Sequence, residues 1–183
     1  MKAAIAILVC CLGLTACAGK SGPTPTPSPS GTTFFNRAHH FTVTYEPATF
    51  RVKTRMVADQ FTLYLRAASG GVAQVTAVPM SRQFVQNELA SWGKDTLNTK
   101  SGEAGLFMPW LSFAQGADKA DWATLNGVRG IRVEAHTASD RAILFYVMSG
   151  SELYIVSAAA PADRWSAEAT ALLAVADSFR VTK

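Results

Sequence analysis

The chain has 183 residues and a formal net charge of +4, with 49% hydrophobic and 16% charged residues. That balance is globular and excludes disorder over most of the length. No basic block and no basic residues interleaved with aromatics occur, which argues against nucleic-acid binding.

Lys2 gives a short basic start, and Ala3 to Leu14 is an unbroken apolar run. At about a dozen residues it matches the core of a signal peptide and falls short of the roughly 20 that a spanning helix needs. It ends in Leu14-Thr15-Ala16-Cys17, which resembles the bacterial lipobox. The resemblance implies removal of residues 1–16 and acylation of Cys17 as the new N-terminus. Cys10 and Cys11 leave with the signal, so no cysteine pair remains for a disulfide. Two or more acyl chains anchor a protein firmly without spanning the bilayer. Ala18, where a retention signal would place Asp, implies an outer-membrane lipoprotein facing the periplasm.

Residues 17–33 form the lipidated cysteine and a tether rich in Pro, Thr and Ser. Pro23, Pro25, Pro27 and Pro29 exclude a helix or an interior strand there. An extended segment of this kind reaches roughly 50 Å at about 3.1 Å per residue.

Residues 34–183 have the size of one domain. Phe41 to Tyr45 alternates as a strand, Pro47 ends it, and Phe50 to Lys53 resumes an extended segment. Phe61, Leu63 and Leu65 alternate in a further strand, and Gly70-Gly71 turns the chain into Val72 to Val78. Beyond Pro79, Ser81 is placed to cap a helix with Phe84, Val85, Leu89, Trp92 and Thr96 on one stripe.

Leu106 to Phe113 is the most apolar stretch after the signal. It reads as a buried strand entered over a Pro109 loop, or as an apolar patch or pocket rim. An irregular loop carrying Phe107, Met108 and Trp110 cannot easily hide all three, because buried irregular backbone leaves polar groups unpaired. These three residues are the candidate binding surface. Asp118 to Asp121 reads as a polar turn before Trp122 to Leu125.

Asn126-Gly127 is a tight-hairpin dipeptide. Ile131, Val133 and Ala135 alternate with Arg132, Glu134 and His136, the pattern of a half-buried strand. Ala142 to Met148 and Leu153 to Val156 are apolar on both sides, which calls for cover on both faces of an antiparallel sheet. Ser166 is placed to cap a helix over Ala167 to Ala176, with Glu168 in its first turn and Ala169, Leu172, Leu173 and Ala176 as its packing stripe. Asp177 to Val181 reads as a closing strand. The fold class expected is α+β, an antiparallel sheet with helices on both faces, in an α/β/α sandwich.

Chemistry-bearing patterns are scarce. His39, His40 and His136 are the only histidines, and adjacent residues on a strand point to opposite sides, so no metal site is expected. Gly-x-Ser-x-Gly, His-Glu-x-x-His and Walker loops are absent from the sequence. Asp59, Asp95, Asp118, Asp121, Asp140 and Asp163 fall mostly where turns are expected. No catalytic residue and no cofactor is expected.

The layout resembles the PsbP-like fold, shared with a small Ran-binding protein of nuclear import and with several bacterial lipoproteins. The residues that carry the resemblance are Phe41 to Tyr45 with Glu46, Pro47 and Phe50, then Leu125-Asn126-Gly127, Gly130, Leu153 to Val156, Ala160-Pro161, Trp165 and Asp177-Ser178-Phe179. Glu46 is inserted and Phe50 stands where Trp is common. The resemblance implies a non-catalytic accessory or assembly domain that binds an envelope protein, held to the membrane by its N-terminal lipid. The alternative is a carrier or sensor of a hydrophobic small molecule, with a pocket lined by Leu106 to Phe113.

Overall fold

The computed structural model describes residues 31–92 and 117–182, with side chains for all of these except 88–92, 117 and 118. The first sheet is small. Strands β1 (Thr32–Asn36) and β2 (Phe41–Tyr45) pair antiparallel, and β10 (Arg180–Val181) adds to the other side of β2. β1 begins within the segment read as tether, because Thr32 and Thr33 pair with Tyr45 and Thr44 although the Pro-Thr pattern before them cannot.

The second sheet holds seven antiparallel strands in the order β3-β4-β5-β9-β8-β7-β6. Their ranges are β3 Phe50–Val57, β4 Gln60–Ala67, β5 Val72–Pro79, β6 Ala117–Leu125, β7 Val128–His136, β8 Asp140–Ser149 and β9 Glu152–Pro161. Helix α1 (Arg82–Trp92) follows β5, and α2 (Trp165–Asp177) follows β9. The hairpins lie where turn chemistry places them. Leu125 pairs with Val128 across Asn126 (φ 51°) and Gly127 (φ 85°), the double positive φ of a tight hairpin. Ser81 Oγ accepts the N–H of Phe84 at 3.1 Å, so the expected cap of α1 forms.

The α/β/α sandwich does not hold. The described residues are mostly strand, and one face of the large sheet is covered by the small sheet together with α2. Phe41, Val43 and Phe179 from that cover meet Leu63, Leu65, Val75, Phe145, Tyr154 and Val156 from the large sheet, all buried, with Leu172, Val175 and Ala176 of α2. On the opposite face α1 has only 11 residues and joins an apolar cluster of Ile131, Val133, Leu144, Tyr146, Leu153 and Ile155 through Val85. Strands apolar on both sides demand cover, and an apolar sheet satisfies that demand as well as a helix does. Alternation in β2 was therefore legible, but not its membership of a covering layer.

Three local expectations are also corrected. Asp118 to Asp121 is strand, not turn, because Ala120 and Trp122 pair inward against Val133 and Ile131. Arg164, not Ser166, stands at the N-cap of α2 and makes no side-chain capping bond. Phe84, read as part of the packing stripe of α1, is exposed while Val85 is buried.

Candidate functional site

The expected sites Cys17, Phe107, Met108 and Trp110 lie outside the described residues, as do Leu106 to Phe113 as a whole, Asp95 and Thr96. His39 and His40 lie in the turn between β1 and β2 and not on a strand, so strand alternation does not decide where they point. His39 is buried against the Phe61 ring at 5.4 Å and places Nδ1 3.2 Å from Glu152 Oε1, while the Tyr154 hydroxyl donates to its carbonyl at 2.9 Å. His40, with φ 48°, is exposed. His39 therefore ties the β1–β2 turn to β9. Among the described residues no group of three or more His, Cys, Asp or Glu is arranged to hold a metal.

Two open hollows are bounded by described residues. One, of about 330 Å³, lies between Glu134, His136, Arg141, Ile143 and Trp165; the other, of about 280 Å³, between His40, Glu152, Tyr154 and Val181. In the first, Glu134 is ion-paired with Arg132 beside it. Burial pushes the Tyr154 hydroxyl well above its usual range, the Glu152 charge adding to this, so it stays a neutral donor. Both arrangements are packing solutions at the rims of the core.

The feature that packing does not account for is β3. It is the end strand of the large sheet, with β4 on one side and no strand on the other among the described residues. Phe50 is buried, yet every residue from Arg51 to Val57 is exposed. The register with β4 sorts these side chains. Val52, Thr54 and Met56 stand opposite Leu65, Leu63 and Phe61, on the side of the main core. Val52 and Met56 are 40% and 57% exposed, so the core ends before it reaches them. Phe34 of β1 stacks on Phe61 at 6.2 Å, which puts an apolar ledge next to Met56.

Arg51, Lys53 and Arg55 project to the other side, with Arg66 opposite Arg51. In the sequence these cations look dispersed among acids. The strand period of two gathers them on one side, and an Arg-x-Lys-x-Arg pattern in an extended segment is the signal that could have shown it. An open edge carrying Lys and Arg is also how proteins discourage strand-to-strand aggregation. The exposed Val52 and Met56 do not serve that purpose.

No protein-family model matches this chain, and no curated protein matches it. Among solved structures 16 chains match. One is the solution structure of cyanobacterial PsbP (CyanoP) from Synechocystis sp. PCC 6803, with a TM-score of 0.56 and 14% identity over 89% of this chain and 99% of that one. At that identity the likeness establishes the fold, which is PsbP-like.

Proposed function

We propose that this chain is a lipid-anchored protein of the bacterial cell envelope, facing the periplasm from the outer membrane. In this reading its folded domain has no reaction of its own and docks a protein partner along β3. The carrying observation is the β3 edge, which has no strand partner among the described residues and runs beside exposed Val52 and Met56 and the Phe34–Phe61 ledge. An extended partner segment added there gains main-chain hydrogen bonds from the edge and side-chain pockets from the ledge. The PsbP-like fold agrees with an accessory role without fixing one, since one fold hosts many functions. Carriage of a small hydrophobic molecule is the second reading; it turns on Leu106 to Phe113, and the described hollows are open and lined by charged residues.

The test is a photo-crosslinking residue placed at Met56, and separately at exposed Arg37, in protein expressed in its own envelope. A discrete protein adduct from position 56 that is absent from position 37 is expected. Identical adducts from both positions, or none from 56, remove the docking edge.

A further inference from the structure

We infer that the basic side of β3 is a contact surface for an anionic lipid bilayer, which lays the domain on the membrane given the lipid anchor at Cys17 proposed above. Arg51, Lys53 and Arg55 occupy alternate positions of one exposed strand. Residues two apart on a strand are about 6.6–6.8 Å apart, so the three charges form a row of about 13 Å. Arg66 widens the row on the neighbouring strand, its guanidinium 5.7 Å from the Tyr64 ring.

Nothing on the described residues neutralises this row. The register continues the same side inward through Thr62 and Tyr64 on β4, Gln74 and Thr76 on β5, and Ile155 and Ser157 on β9, with no carboxylate among them. Elsewhere, Lys119 holds Asp121 at 2.7 Å and Arg132 holds Glu134, while Arg180 holds the carbonyls of Asp177 and Phe179. Asp59, at the tip of the β3–β4 hairpin, makes no ion pair with the row. Four like charges kept together without counter-charge among the described residues suit a surface that supplies many. Phosphate head groups do so, and guanidinium groups bind phosphate through paired hydrogen bonds.

The connection of the chain favours a bilayer over an acidic protein. Thr32 pairs with Tyr45, so the segment that leads back to Cys17 enters beside the turn Glu46–Thr49. That turn runs straight into Phe50 and Arg51, its Phe50 N–H bonded to the Glu46 carbonyl at 3.0 Å. The tether therefore reaches the domain at the Arg51 end of the row. A tethered surface meets the bilayer at high effective concentration, so the modest attraction of each cation is enough to orient the domain.

The experiment uses the chain from residue 17 onward with Cys17→Ser, which keeps every described element and carries no acyl group. It is sedimented with vesicles of phosphatidylcholine, or of phosphatidylcholine with one-third phosphatidylglycerol. Binding only to the second kind, reversed by high salt, is expected. Arg51→Gln with Lys53→Gln should lower partitioning roughly 25-fold, about fivefold for each cation lost near the surface. Arg37→Gln with Arg141→Gln, an equal charge change elsewhere, should leave it within about twofold. Thermal melts of both pairs establish that they are folded. Equal binding to both vesicles, equal loss in the two pairs, or no binding at all overturns the surface. An acidic protein cross-linked through Lys53 in native envelopes, without vesicle binding, overturns it in favour of that partner. Since this chain has no lipid, none of these failures touches the anchor at Cys17, which fractionation of the Cys17→Ser precursor tests separately.

Discussion

The side-chain amide of Asn126 donates to the carbonyl oxygen of Phe179 at 2.7 Å, and to that of Asp177 at 2.6 Å. The hairpin turn between β6 and β7 is thus bolted to the point where α2 gives way to β10. Asn126 meets two demands at once, a positive φ and a two-pronged donor aimed at two carbonyls at a helix end, to which Arg180 Nη1 also donates at 2.8 Å.

Asn126→Gly separates these two roles. Glycine accepts the turn conformation, so the hairpin stays, while both side-chain bonds are lost. A destabilisation of about 1–3 kcal/mol is expected from two bonds of about 0.5–1.5 kcal/mol each. Urea denaturation checks it; an unchanged midpoint would mean that only the turn conformation matters.

Removal of Asp177 to Lys183 deletes Phe179, which is 1% exposed and packs 5.8 Å from the Phe41 ring and 5.2 Å from the Tyr154 ring. Truncating a buried Phe alone costs about 3–5 kcal/mol, against a typical total of about 5–15 kcal/mol. The truncated protein should lose its cooperative thermal transition, as followed by near-ultraviolet circular dichroism. A melt within a few degrees of the intact chain would show that β10 is dispensable.

This part of the fold also shows what was readable in the sequence. Alternation marked β2, β4 and β7, and Asn126-Gly127 and Gly70-Gly71 marked the β6–β7 and β4–β5 turns, because period and φ are local properties. Which layer a strand joins is not local. Val181 pairs with Phe41, some 140 residues away in sequence, and no pattern in either segment says so. The basic side of β3 was hidden for another reason. Arg51, Lys53 and Arg55 read as scattered until the strand continues to Val57 and puts them on one side.

Asp177 gives a pH dependence. Partial desolvation at the end of α2 holds its carboxyl above the ordinary carboxylate range, although the residue is exposed and Arg132 and Arg180 act to lower it. The folded state therefore holds this proton more tightly than the unfolded state does. Its contribution to stability is present below the unfolded pKa and is lost as pH rises through the folded pKa. Asp177→Asn removes that loss, so the variant should be the more stable near pH 7, with the difference shrinking near pH 3. Denaturant midpoints at the two pH values check this; a difference larger at the acid end would reverse the assignment.

The acylation proposed at Cys17 predicts where the protein resides. Cys17→Ser should leave an unprocessed precursor or release the protein from the membrane fraction, because a thioether-linked diglyceride cannot form. Carbonate-washed membranes and intact-mass measurement of the wild-type N-terminus provide the readout. A processed Cys17→Ser chain still in the washed membrane would exclude the lipid anchor.

The charges on β3 also bear on self-association, and that can be separated from what they bind. In an antiparallel pair of two β3 edges, Arg51, Lys53 and Arg55 of one copy lie on the same side as their counterparts in the other. Like charges directly opposite one another destabilise such a pair. Arg51→Thr, Lys53→Thr and Arg55→Thr together keep strand-forming side chains and remove this repulsion, leaving an open edge with exposed Val52, Met56 and Val57. The triple variant should fold, since all three sites are exposed, and surface changes of this kind shift stability by about 0.5 kcal/mol or less each. In sedimentation velocity it should form dimers or larger species at concentrations where the parent is monomeric. Met56→Glu added to the same background should restore the monomer by placing a charge on the other side of the strand. A triple variant that stays monomeric at every accessible concentration would mean that the edge is guarded by something other than its cations.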